Sequence, residues 1–174
     1  MSKAKLKKEL QALSKEQLIE HVLDMYEKHK AVKEFYNFFL NASPANEQAC
    51  AEKYKKIIRK EFNLINPTNA GMKFSVAKRA IADFKNLQPS AHSLADIMLY
   101  LPECACDFTY QFGDMTEQFY IGACNNFQAA LLFMAKHHIL NDFKLRSLQC
   151  VEWASVCGYG FADEIASIYN EFYD

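Results

Sequence analysis

Between Tyr120 and His138 the residues Tyr120, Cys124, Phe127, Leu131, Met134 and His138 recur at spacings of 4-3-4-3-4. At 3.6 residues per turn this rhythm sets all six on one helical face. A strand would need alternation by two. The same rhythm returns along most of the chain, and no segment alternates convincingly, so an all-α fold is expected. Five glycines and four prolines leave little room for a many-turned all-β alternative.

About eight helical segments follow from the stripes and their punctuation. Leu6, Leu10 and Leu13 mark a short first helix. Ser14 and Gln17 have capping-box spacing. The stripe Leu18, Val22, Met25, His29, Val32, Tyr36 and Phe39 then reads as one long helix or as two that part near His29. Pro44 suits a first helical position after a Ser43 cap. Tyr54, Ile57, Ile58, Phe62 and Ile65 are expected on one inward face. Phe74, Ala77, Ile81 and Phe84 form the next. Leu94, Ile97, Met98 and Leu101 mark a short helix that Pro102 is expected to end. Asp114 and Glu117 have the spacing of a cap and its partner. Asn141 or Asp142 is expected to cap the following helix, and Gly158 to close it. Phe161, Ile165, Ile168, Tyr169 and Phe172 make the last stripe.

Connections of two to eight residues imply antiparallel neighbours, hence helical hairpins in a compact bundle or a short α–α superhelix. A chain of 174 residues is expected to form one domain, residues 1–174, with a core large enough to need no disulfide. The opening "MSKAKLKKELQALSKEQL" shows no apolar h-region and no cleavage site. The longest apolar run, "AALLFMA", is too short to span a bilayer. A cytoplasmic location, without membrane attachment, is the expectation, and six cysteines are expected to stay reduced.

The formal charge of −1 conceals a division. Residues 1–87 hold 17 Lys and Arg against 10 Asp and Glu, and residues 88–174 hold 3 against 11. A basic half and an acidic half can attract each other within one chain or between copies. The basic half can also face an anionic partner. The best surface for that is "EKYKKIIRKEF", where Lys53, Lys56, Arg59 and Lys60 lie opposite the apolar stripe. Most amphipathic helices carry such a solvated charged face, so nucleic acid is the lesser expectation.

Cys104, Cys106 and His137 are the candidates for metal or thiol chemistry. Zinc takes thiolate and imidazole ligands that converge, commonly from short paired spacings. Cys104 and Cys106 would lie about 200° apart on a helix and converge only in extended chain. Cys124, Cys150 and Cys157 fall on apolar faces, where free Cys packs as a small hydrophobe. The chain has no P-loop, GxGxxG or GxSxG, so no catalytic residue and no cofactor is assigned.

The segments "FGDMTEQFYIGACNNFQAAL", "GYGFADEIASIYNEFY" and "LKKELQALSKEQLIEHVLDMYEKHKAVKEFYNFFLN" resemble a family of uncharacterised bacterial all-helical proteins known only as a domain of unknown function. The motifs that carry the likeness are Phe112-Gly113-Asp114, Phe119-Tyr120 and Gly158-Tyr159-Gly160-Phe161. The likeness covers nearly the whole chain. It implies a bacterial, cytosolic helical protein and supplies no reaction. The family pattern does not feature Cys-x-Cys, which sets Cys104 and Cys106 apart from any shared activity. A junction site is expected where the two glycine motifs meet, around Asp114, Tyr120 and Tyr159.

The leading expectation is a non-enzymatic helical module that binds a protein partner or itself. The alternatives are a metal- or thiol-dependent enzyme using Cys104 and Cys106, and polyanion binding through residues 52–62.

Overall fold

In a computed structural model, residues 1–41 and 43–173 are described. Ala42 and Asp174, the last of the acids counted above, lie outside them. Among the described residues every regular element is helical, as the stripes require. The chain divides into two compact units, Met1–Ser43 and Pro44–Asp174.

The N-terminal unit holds α1 (Lys3–Gln11), α2 (Lys15–Lys28) and α3 (Lys30–Leu40). The capping box at α2 is complete: the Gln17 backbone N–H donates to Ser14 Oγ, and the Ser14 N–H donates to Gln17 Oε1 at 2.9 Å. The long stripe does part at His29, which adopts φ −121° and ψ 110° and so ends α2 and starts α3. α2 and α3 pair as a hairpin. Tyr26 and Tyr36 meet edge to face at 6.5 Å, and the Tyr26 hydroxyl donates to Asn37 Oδ1 at 2.9 Å.

The C-terminal unit holds α4 (Pro44–Glu61), α5 (Phe74–Asn86), α6 (Ala91–Phe112), α7 (Glu117–Lys136), α8 (Lys144–Ala154) and α9 (Phe161–Tyr173). α6 packs against α4, α5, α7 and α8, and α9 closes on α7 and α8. Helices gathered round one central member make a bundle, not a superhelix of stacked pairs. Ten residues of α6 are buried, from Leu94 to Thr109. A helix apolar on most sides belongs in a core.

That burial explains the largest departure from expectation. Pro102 does not end a helix; it lies buried inside α6. An interior proline costs about 3 kcal/mol. A cap at each end and buried side chains on both flanks outweigh it. The Ser90 side chain accepts the Ser93 N–H at the start, and Gly113 leaves the helix at φ +90°. Other punctuation also shifts. The cap of α7 is Thr116, whose Oγ1 accepts the Phe119 N–H, so Asp114 is freed for another role. A 3₁₀ turn, Leu140–Phe143, leads into α8 in place of an Asn141 or Asp142 cap. α8 ends at Ala154, ahead of Gly158. Ile57 and Ile65 are exposed, because α4 stops at Glu61 and only Ile58 and Phe62 reach the core. His138 leaves the α7 stripe, beyond the helix end and at φ +58°.

Four phenylalanines tie the helices together. Phe62, Phe74, Phe108 and Phe119 come from α4's end, α5, α6 and α7, with centroids 5.2 to 6.4 Å apart. Gly122, one turn past Phe119, makes room for Phe74: a Cβ there would stand 2.9 Å from its ring. No described helix is long and apolar enough to cross a membrane.

Helix propensity alone would make Gly122→Ala stabilising by about 1 kcal/mol. The Phe74 contact reverses the sign. Urea unfolding followed by the single tryptophan, Trp153 on α8, is expected to show a lower midpoint for this variant. A higher midpoint contradicts the packing described.

Candidate functional site

Charged chemistry in the C-terminal unit collects on the polar edge of α6. Asp96, Tyr100, Glu103 and Cys104 follow one another at helical spacing and so share that edge. Arg146 of α8 grips two of them. Its Nε and Nη2 donate to the two oxygens of Glu103 at 2.7 and 2.6 Å, and Nη1 donates to Asp96 at 2.5 Å. Lys55 of α4 reaches the other oxygen of Asp96 at 2.6 Å and Glu52 at 3.5 Å. The Arg59 Nε–H donates to the Tyr100 hydroxyl, and its guanidinium lies 5.4 Å from that ring. The network thus clamps α4, α6 and α8.

Its electrostatics are those of paired groups being desolvated. Burial raises the Glu103 carboxyl above its usual range although Arg146 opposes the shift. The Arg146 guanidinium is held more firmly protonated by the Glu103 and Asp96 carboxylates, against the cost of burial. Within the pair each charge favours the ionised form of the other, and burial opposes both. Burial raises the Tyr100 hydroxyl and pushes the Cys104 thiol up to about 12. Each strong donor and acceptor has a partner, and no buried side-chain N or O among the described residues lacks one. The arrangement is a clamp across three helices.

Burial acts on other thiols in the same direction. Burial pushes Cys124 up to about 12, and raises Cys150 well above its usual value with the Cys106 thiol against it. A nucleophilic Cys needs the opposite shift. Cys104 and Cys106 sit in an unbroken helix, one half-buried at the clamp and the other fully buried. Their side chains therefore diverge. His137 is exposed just past α7, its ring 4.3 Å from that of Phe133. Among the described residues no three His, Cys, Asp or Glu side chains converge as a metal ion requires.

The two glycine motifs do meet. Asp114 Oδ1 accepts the Tyr120 hydroxyl and the Gly158 N–H, each at 2.8 Å, and the Met115 N–H donates to the Tyr120 hydroxyl at 2.9 Å. The Tyr120 ring stacks on Phe161 at 4.3 Å. Gly158 contributes its backbone, while the Tyr159 side chain is 83% exposed and takes no part. Asp114 therefore bridges the α6–α7 connection to the turn before α9.

Lys53, Lys56 and Lys60 stand exposed on α4. Arg59 is exposed beside them but committed to Tyr100, so the outward basic face is narrower than the sequence pattern suggests.

The N-terminal unit presents a different surface. None of the residues in α1, α2 or α3 is buried. Ile19 and Leu23 share a face of α2 and are 49% and 55% exposed; Phe39 and Leu40 at the end of α3 are 60% and 73% exposed.

Compared with known proteins, residues 1–173 match a family of unknown function, DUF6155. The chain belongs to that family, and the expected likeness to a family of unknown function over nearly the whole chain holds. No curated protein and no solved structure matches it.

Two outcomes test this geometry. Arg146→Ala strands Glu103 and is expected to cost about 2 kcal/mol by urea unfolding, less than a fully buried pair because the guanidinium is 36% exposed. An unchanged midpoint contradicts the clamp. Acid behaviour divides by group. The Gly158 N–H and the Tyr120 hydroxyl hold Asp114 below the usual carboxylate range. Its stabilisation is full above the unfolded value of about 3.9 and is lost as pH falls through the folded one. Glu103 has the opposite sign, since its raised value favours folding below the unfolded pKa and that gain is lost as pH rises. Asp114→Asn should therefore lose less stability than wild type between neutral pH and the acid limb. An equal loss refutes the bridge.

Proposed function

We propose that this member of the DUF6155 family is a non-enzymatic helical protein-interaction module, and that its N-terminal helices pair with the same helices of a second copy. The observation that carries this reading is the unburied state of α1, α2 and α3 despite their apolar stripes. A unit of this length lies near the limit of about 40 residues below which disulfides, metals or oligomerisation are usually needed. The first cysteine in the chain is Cys50, outside the unit.

A second copy suits the surface better than an unrelated partner. Ile19 and Leu23 on α2, with Phe39 and Leu40 at the end of α3, leave apolar surface outside the α2–α3 hairpin that the same surface of a second copy can cover. A two-fold contact needs one self-complementary patch. The charges complement as well. α1 carries Lys3, Lys5, Lys7 and Lys8, whereas Glu16, Glu20, Asp24 and Glu27 lie along α2. The α1 of one copy can therefore neutralise the α2 of the other, and such attraction weakens with salt.

Sedimentation of the full chain at micromolar concentration is expected to show a dimer that salt weakens. Leu23→Glu with Phe39→Glu is expected to leave a monomer whose C-terminal unit unfolds as before. A wild-type monomer at high concentration, or a dimer that survives both substitutions, overturns the reading.

A further inference from the structure

We propose that the C-terminal unit also binds a small organic phosphate, a phosphate monoester with a compact apolar body, where α5 and α7 end and α6 begins. A cavity of about 360 Å³ opens there. That volume suits a small ligand. Lys85, Lys136 and His137 are among its lining residues, and Pro89, Leu94 and Phe133 supply apolar surface. Among the described residues no Asp or Glu lines the cavity.

The cations gather there for a structural reason and stay available. Lys85 lies in the last turn of α5 and Lys136 closes α7, where helix carbonyls favour positive charge. Neither pairs with a carboxylate among the described residues. The second half of the chain has only three Lys and Arg. Arg146 is spent on Glu103 and Asp96, and Lys144 lies 5.6 Å from the Tyr173 ring. Lys136 is the one left to face this cavity.

The chain also turns to shape it. Gln88 takes φ +60° between α5 and Pro89, and the His137 N–H donates to the Phe133 carbonyl at 3.1 Å. The His137 and Phe133 rings thereby form a single wall. The start of α6 is not itself the anion site. Glu47 already accepts the Ser90 N–H at 2.9 Å and the Ser90 hydroxyl at 2.5 Å. The side-chain cations carry the recognition, with the lysines acting as point charges on a dianion. A bare phosphate would leave the apolar surface unused, so the monoester is the fitting class. The cavity lies wholly within the C-terminal unit, and the inference is independent of self-association.

The test titrates phenyl phosphate into the isotope-labelled full chain and follows backbone amide resonances. Saturable shifts are expected for residues 85–94 and 133–137. Affinity should fall about tenfold in the Lys85→Gln, Lys136→Gln variant, both side chains being exposed and safe to change. Inorganic phosphate should bind more weakly than phenyl phosphate, and Lys53→Gln with Lys56→Gln should leave affinity unchanged. No saturable shift, equal affinity in the Lys85 and Lys136 variant, or an equal loss in the Lys53 and Lys56 variant overturns the site. Inorganic phosphate binding as tightly as the ester overturns the monoester class.

Discussion

The burial of α6 is the constraint on which the rest of the C-terminal unit depends. A helix that presents apolar residues on most of its circumference must be surrounded, and α4, α5, α7 and α8 do so. The hydrophobic gain is roughly 25 cal/mol for each Å² of apolar surface removed from water. Spread over ten buried residues, it absorbs the cost of a proline inside the helix. It also dictates where polar chemistry can go. The remaining edge of α6 carries Asp96, Tyr100 and Glu103, and their partners on α4 and α8 fix the positions of those helices. Apolar burial sets how much is packed, and the half-buried ion network sets which face of each neighbour is used.

The basic and acidic halves of the sequence meet inside this unit. Lys55 belongs to the first and Asp96 to the second, and Arg59 and Tyr100 repeat the crossing one turn later. Part of the charge division therefore acts as internal glue. The N-terminal unit has the same helical rhythm, but its stripe residues are at most half-buried. An amphipathic stripe is a statement about a face, and the partner for that face need not be in the same chain. This contrast is the physical ground for the proposal that α1 to α3 pair with a second copy.

Much of this architecture was legible because helix faces are local. The stripes of α5, α7 and α9, the Ser14 cap and the parting at His29 need only residues within a few turns of one another. The departures share the opposite character. Pro102 lies inside α6 against its local propensity because that cost is offset by neighbours far away in sequence. Asp114 has cap spacing, yet Thr116 caps and Asp114 instead reaches Gly158, 44 residues on. The clamp went unread since Arg146 lies 43 residues from Glu103 and 50 from Asp96. A signal existed in Asp96, Tyr100 and Glu103, a polar line on an otherwise apolar helix. The cavity at Lys85 and Lys136 left no such trace, because it joins two helix ends with a bend that no periodicity marks.

The central claim is that the N-terminal helices are completed by a second copy. Hydrogen exchange on the full chain, measured across a range of protein concentrations, reads this directly. The account predicts that amide protection in α2 and α3 rises with concentration, while protection in α6 and α7 stays constant. Protection in α2 and α3 that is independent of concentration would contradict it.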